Sequence, residues 1–248
     1  VDVQPYSAGL YRGRERALLP RPEDAGALEE WADWLRRLGI EALIPGSDHD
    51  LAPLAAVRDD WAVRGVCRVL VSDPELVAVC QDKVKTCRRF AAAGLPHPDS
   101  IWDVAVEEAL AWAKTRGFPI IIKPRAGSAS RGLQLIEDEE AFRFFYARTD
   151  EPIVQEYLSL EGEVQEFTCA VFVDGEGAAV GTFMARRDLS GGATYRAEVG
   201  FWPEIHELLL SIAAELRPRG PLNVQLRLTE RGPVPFECNI RCSGTSGI

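Results

Sequence analysis

The sequence predicts an α/β chain with α+β lobes: an N-terminal lobe on a parallel sheet, then two lobes of mixed helix and strand. Three observations predict it. Between residues 21 and 72, apolar residues at helical spacing alternate with short apolar strands, the order that builds parallel sheets. Pro119-Ile-Ile-Ile-Lys123 is an apolar strand that ends in a lysine and runs into the small-residue loop Pro124-Arg-Ala-Gly-Ser-Ala-Ser-Arg-Gly132. Near the C-terminus, two runs of strict alternation flank a Glu-Arg-Gly turn, which reads as a β-hairpin.

Each element follows from local pattern. A helix is expected over 21–38, where Leu28, Trp31, Trp34, Leu35 and Leu38 recur at helical spacing. A strand over 41–45, a helix over 51–58 and a strand over 68–72 complete the first lobe. A helix over 82–93 ends at Gly94, and Pro96 and Pro98 force an extended exit. Then come a helix over 104–116, the strand 119–123, the loop 124–132, a strand over 133–136 and a helix over 139–147. Strands are expected over 152–158, 164–173 and 178–184, with Gly175 and Gly177 making a turn. Residues 186–200, polar and glycine-rich, read as a mobile loop. A helix over 202–216 precedes the hairpin. At this length one large domain or two to three lobes are open. No repeat or low-complexity tract interrupts the chain. With Val1-Asp-Val at one end and Ser243-Gly-Thr-Ser-Gly-Ile at the other, both termini read as trimmed.

Composition narrows the function. A length of 248 residues supports a substantial core, and 46% hydrophobic with 27% charged residues is ordinary for a globular chain. The net charge of −10 argues against nonspecific nucleic-acid binding, but a local anion site needs only a few Lys, Arg and backbone N–H groups. With no membrane-length apolar run and no signal peptide, a cytoplasmic protein is expected. The six cysteines show no C-x-x-C spacing, and buried free thiols are the expected state. His49, His97 and His206 have no spacing that suggests a metal or catalytic role.

In the hairpin, Asn223, Gln225 and Arg227 share a face with Glu237, Asn239 and Arg241, while Leu222, Val224, Leu226 and Leu228 face away with Val234, Phe236, Cys238 and Ile240. If Thr229 pairs with Pro233, Gln225 lies opposite Glu237 and Asn223 opposite Asn239, about 5 Å apart. Oxygen ligands beside a guanidinium suit Mg²⁺ with a phosphate, although solvated strands alternate in the same way. Lys123 offers a compact charge, and Gly127, Ser128, Ala129 and Ser130 let backbone N–H groups approach a polyphosphate; a flexible turn has the same composition. Lys83 opens a helix, where the dipole favours an anion, so either a nearby phosphate or plain solvation accounts for it. The strand running into Glu156-Tyr157-Leu158 can present backbone groups to a planar base, with Glu166 within reach of a ribose.

Taken in order, Asp82-Lys83 through Gly94-Leu-Pro, Phe118-Pro-Ile-Ile-Ile-Lys-Pro with its Gly-Ser-Ala-Ser-Arg-Gly loop, Val154-Gln-Glu-Tyr-Leu, Glu166-Phe-Thr, Asn223-Val-Gln and Phe236-Glu-Cys-Asn-Ile-Arg resemble the ATP-grasp superfamily. The resemblance is strongest to its carbamoyl-phosphate-synthetase-like branch of carboxylate–amine ligases and covers essentially the whole chain. It implies an N-terminal pre-ATP-grasp lobe over 1–81 and two lobes clasping ATP, 82–158 and 159–248, with ATP and Mg²⁺ (or Mn²⁺) as cofactors. Lys83 and Lys123 then match the phosphate-binding lysines, and Gly127 to Gly132, with Ser128 and Ser130, the loop over the phosphates. Glu156, Tyr157 and Leu158 match the adenine hinge, and Glu166 the ribose acid. Gln225, Glu237 and Asn239 match the metal ligands, Gln225 standing where many relatives carry an acid although the carbamoyl phosphate synthetase branch also uses Gln, and Arg241 matches an arginine at the γ-phosphate. The resemblance also implies a first strand with a Gly-rich turn before Val1 and a helix after Ile248, so a trimmed chain is expected.

The implied reaction activates a carboxylate as an acyl phosphate, and an amine then displaces phosphate. Catalysis is expected from positioning and charge, with Lys123 and Arg241 on the transferring group. For the substrate carboxylate the expectation is Arg186 and Arg196, since arginine binds carboxylates bidentately; a solvated basic loop is the alternative. Asp48 or Asp50 could hold an amine or simply cap a helix. The partners expected are a small-molecule carboxylate and amine (metabolite, amino acid or peptide), without nucleic acid or membrane, and a homodimer is compatible. A carboxyphosphate- or carbamoyl-phosphate-forming enzyme using bicarbonate, or a non-catalytic ATP-binding regulator, are the alternatives.

Overall fold

The computed structural model describes residues 1–127, 131–160, 163–191 and 193–243, without the side chain of residue 193. The chain divides into two compact units, Val1–Val77 and Ala78–Ile248.

In the first unit, a 3-10 turn at Ala8–Tyr11 precedes α1 (Ala27–Arg37), β1 (Ala42–Leu43), α2 (Asp48–Val63), β2 (Arg68–Val69) and the start of α3 (Pro74–Cys80). β1 and β2 pair in parallel. Helix α1 places Glu29 and Glu30 in its first turn and Arg36 and Arg37 in its last, the order that complements the helix dipole. It buries Trp31 and Leu35. Helix α2 starts earlier and ends later than its apolar spacing suggested. The Asp50 carboxylate accepts the N–H of Ser47 at 3.1 Å and so fixes the N-terminus. Arg58, buried, donates to Asp73 at 2.7 Å and to the Val71 carbonyl at 3.2 Å. Asp48 and Asp50 thus sit in the first turn of a helix.

The second unit carries two sheets. Its elements are α4 (Lys83–Ala92), β3 (Ser100–Trp102), α5 (Val106–Arg116), β4 (Ile120–Pro124), β5 (Gln134–Ile136), α6 (Glu139–Tyr146) and β6 (Pro152–Glu156), then β7 (Glu166–Val173), β8 (Ala179–Ser190), β9 (Ala193–Val199), α7 (Pro203–Leu216), β10 (Gly220–Thr229) and β11 (Gly232–Asn239). The first sheet has the order β3-β6-β4-β5 and the second β11-β10-β7-β8-β9. Every pairing in both is antiparallel. The triple isoleucine run places Ile120 and Ile122 in a core with Ile136, Phe142, Val154, Ala109, Leu110 and Ala113. Helix α7 buries Ile205, Leu209 and Ile212 and packs on the second sheet.

Two expectations are corrected. Residues 186–200 are not a mobile loop: most of them form the β8–β9 hairpin, in which Arg186 pairs with Glu198 and Asp188 with Arg196. This edge hairpin exposes most of its residues, so no hydrophobic alternation marks it, and cross-strand charge pairs and Gly191 at φ +59° set it instead. In the C-terminal hairpin Thr229 pairs with Gly232 rather than Pro233, and a bulge beyond Gln225 absorbs the one-residue difference. Asn223 therefore still faces Asn239, and Gln225 faces Glu237. The bulge also turns Phe236 to the polar side, where it lines a cleft with Glu237. Strand β3 and helix α3 had no signal of their own: β3 exists through its pairing with β6.

Candidate functional site

A cleft in the second unit is lined by β4 and the loop after it, by β7, β8, β10 and β11, and by the N-terminus of α4. Its geometry starts at Asp82, the N-cap of α4, which accepts the N–H groups of Val84 (2.9 Å) and Lys85 (3.1 Å). The same carboxylate takes Arg125 at 2.9 Å. Burial pushes the Asp82 carboxyl up, but Arg125 and the two N–H groups outweigh it and hold it below the usual carboxylate range. This joint fixes Lys83 beside the loop, where its Nζ donates to the Gly127 carbonyl at 2.9 Å. The phosphate-loop residues Ser128 and Ser130 lie outside the described residues. Gly132 has φ +73°, and a Cβ there would meet Pro124 Cδ at 3.1 Å, so glycine is required by its own backbone.

Lys123, 5% exposed, donates from Nζ to Gln155 Oε1 at 2.7 Å. Gln155 Nε2 in turn donates to Ser100 Oγ at 2.9 Å. Burial, aided by the neighbouring Lys83, pushes the Lys123 ammonium down to about 8. Gln155 had no signal in the sequence; its role depends on β6 lying beside β4.

On the floor, Glu166 pairs in register with Arg187 on one side and Arg227 on the other. Arg187 donates to Glu166 Oε1 (2.6 Å) and to Gln225 Oε1 (2.8 Å). Arg227 donates to Glu166 Oε2 at 2.9 Å and stacks over the rings of Tyr157 and Phe236 at 5.3 and 5.7 Å. Glu166 is thus buried with both oxygens held by guanidinium groups. Glu237 faces the cleft, and its Oε1 accepts the Asn239 amide at 3.0 Å. Asn223, opposite, is buried and donates to Thr168 Oγ1 and the Cys169 carbonyl.

The structure therefore brings Lys83, Lys123, Gly127, Glu166, Gln225 and Glu237 to one cleft. The expected hinge lies beside Arg227, which reaches the Leu158 carbonyl at 3.4 Å, while the Glu156 carboxylate accepts the Asp99 N–H at 2.8 Å and Arg231. Arg241 donates to the Cys242 carbonyl at 3.0 Å and does not line the cleft. Arg186 and Arg196 are placed elsewhere: both are exposed or partly so, and Arg186 is paired with Glu198 on the face opposite Arg187. The cleft arginines are Arg131, Arg187 and Arg227. Strand alternation separates Arg187 from Arg186, a signal hidden while the segment reads as a loop.

The donor set fits one divalent cation: Glu237 supplies a carboxylate, and Asn239 beside it an amide oxygen. No cluster of three or more His, Cys, Asp or Glu suited to a metal exists among the described residues. Thiols play no part there. Burial pushes Cys80 and Cys169 up to about 12 and Cys238 well above its ordinary range, although Cys242 is exposed, against expectation. Among the described residues no helix is long and apolar enough to cross a membrane.

The second unit is an α+β fold with a polar cleft, and its residues 80–187 match the ATP-grasp domain family. The chain is similar to the glutamate–LysW ligase ArgX of Sulfurisphaera tokodaii, with 34% identity over 37% of this chain and 36% of that protein. The large chain of carbamoyl phosphate synthase from Vibrio cholerae is 20% identical over 71% of this chain and 18% of its own length. Among solved structures, the carboxyaminoimidazole ribonucleotide synthase of Aspergillus clavatus complexed with ATP superposes with a TM-score of 0.74 at 13% identity, over 98% of this chain and 63% of that one. The chain spans less than two thirds of the length of each.

Proposed function

We propose that this chain is the nucleotide-binding part of an ADP-forming carboxylate–amine ligase that uses ATP and a divalent cation, with a small metabolite, amino acid or peptide as substrate. The carrying observation is the buried Lys123 ammonium, held next to Lys83 and facing Glu237 across one cleft. A buried cation with a depressed pKa lacks its counter-anion, and a polyphosphate supplies it. Lys83 and Lys123 would take the phosphates. Glu237 and Asn239 would hold the cation, which when bound neutralises charge on the transferring group. Gln225 is bonded to Arg187, so its part in metal binding is the weakest of the three expected ligands. Tyr157 and Leu158, beside Arg227, would border the adenine, and Glu166 is left to reach a ribose only through the lone pairs its arginines do not use.

For the acyl phosphate, Arg187 and Arg227 replace Arg186 and Arg196 as the cleft guanidiniums able to meet a carboxylate, and Arg241 follows β11 near Asn239. No covalent nucleophile is needed, because positioning and charge neutralisation carry such transfers. The reading is supported by the similarity to the glutamate–LysW ligase and by the fold. The test is a panel of carboxylates and amines scored by ADP release. Release that requires both an added carboxylate and an added amine supports the ligase. Release that requires bicarbonate instead supports a carboxyphosphate-forming enzyme, and nucleotide binding with no release under any pair supports a regulator.

A further inference from the structure

We propose that the cleft is built for a single divalent cation and that the Arg187 guanidinium fills the place of a second one at Gln225. The proposal rests on the nucleotide reading above and concerns what happens at one position within it. Gln225 stands directly opposite Glu237 across β10 and β11, so an acid at 225 would put two carboxylates about 5 Å apart. Such a pair requires a cation between or beside its members. Here residue 225 is a neutral amide, and a fixed cation already occupies its oxygen.

That cation is built in by register. Arg187 lies in the cross-strand row with Glu166 and Arg227, and Gln225 lies in the next row, beside Thr168. The Arg187 side chain crosses this diagonal and ends with Nη2 at 2.8 Å from Gln225 Oε1 and 2.6 Å from Glu166 Oε1. Its side chain is 10% exposed and that of Glu166 5%, so the ion pair holds the guanidinium in place. A guanidinium has no acceptor and does not lose its proton, so it acts as a permanent positive charge at that point. A divalent ion seeking the Gln225 oxygen would have only its remaining lone pair, beside the positive charges of Arg187 and Arg227.

The charge of the cleft agrees. Among the described residues, five cationic side chains line it against two carboxylates. A nucleotide carrying one divalent cation keeps a net negative charge that this surplus can match, whereas one carrying two keeps almost none. Glu237 is the cleft carboxylate that, among the described bonds, is held by no cation; it accepts only the Asn239 amide N–H.

The experiment counts Mn²⁺ bound by the whole chain in the presence of a non-hydrolysable ATP analogue, by electron paramagnetic resonance of free Mn²⁺. One Mn²⁺ per bound nucleotide is expected. The double substitution Arg187→Met with Gln225→Glu should raise the count to two, since it removes the fixed cation and restores an acidic ligand. Two Mn²⁺ per nucleotide in the unsubstituted protein would overturn the proposal while leaving the nucleotide reading intact. A double variant that binds nucleotide with one Mn²⁺ would overturn the assignment to Arg187. Failure of the unsubstituted protein to bind the analogue at all sinks both.

Discussion

Replacing Lys123 with Met separates what this residue does for the fold from what it does for the nucleotide. The depression from 10.5 to about 8 corresponds to about 3 kcal/mol of unfavourable burial at about 1.4 kcal/mol per pH unit. The sign follows from the direction. With the folded pKa below the unfolded one, both states are protonated below about pH 8 and the full cost is present. Between about pH 8 and 10.5 the unfolded chain keeps a proton that the folded one has released, so stability rises with pH, and the cost is gone above that window. Lys123→Met removes the cost at neutral pH but leaves Gln155 Oε1 without its donor, a loss of about 1–3 kcal/mol. The two nearly cancel, so the variant should fold with a stability within about 2 kcal/mol of the parent. Nucleotide binding has no such compensation. Loss of a charge-assisted bond of about 1.5–3 kcal/mol weakens the Kd about 10- to 150-fold. Calorimetric titration with an ATP analogue and Mg²⁺ at pH 7, beside a thermal melt, measures both. A well-folded variant with unchanged affinity would refute the phosphate role of Lys123.

Three further outcomes are expected. Because a bound polyphosphate restores the Lys123 ammonium, nucleotide binding at about pH 9 should take up a proton, seen as a binding enthalpy that varies with the ionisation enthalpy of the buffer; an enthalpy independent of buffer contradicts this. Gly132→Ala should destabilise the fold by more than about 1 kcal/mol, since φ is +73° and the new Cβ meets Pro124, and an unchanged denaturation midpoint would count against the tight backbone approach. Arg187→Met should lower nucleotide-dependent turnover more than Arg186→Met, whose guanidinium lies on the other face with Glu198; equal effects would show that the hairpin faces are misassigned.

Much of the C-terminal strand pair could be read from alternation alone, because one buried face fixes the register. Its turn-end pairing could not, since the bulge after Gln225 depends on how Pro235 and Phe236 sit against β10. Lys123 was visible as a charge ending an apolar strand, but its partner Gln155 was not, being set by a neighbour 32 residues away. The expectation of Arg186 and Arg196 passed over Arg187, which lines the cleft, for a related reason. With both faces of β8–β9 polar, composition resembles a loop, and only pairing decides which arginine enters the cleft. Helix α3 is too short for periodicity to reveal.

The most direct test of the central claim, that the polar face of β10 and β11 holds a metal–nucleotide complex, compares affinity for an ATP analogue with and without Mg²⁺ in the parent and in Glu237→Ala. The account predicts that Mg²⁺ tightens binding in the parent and that the variant, equally folded because its side chain faces the cleft, loses that gain together with Mg²⁺-dependent turnover. A Glu237→Ala protein that keeps the full Mg²⁺ effect would contradict it.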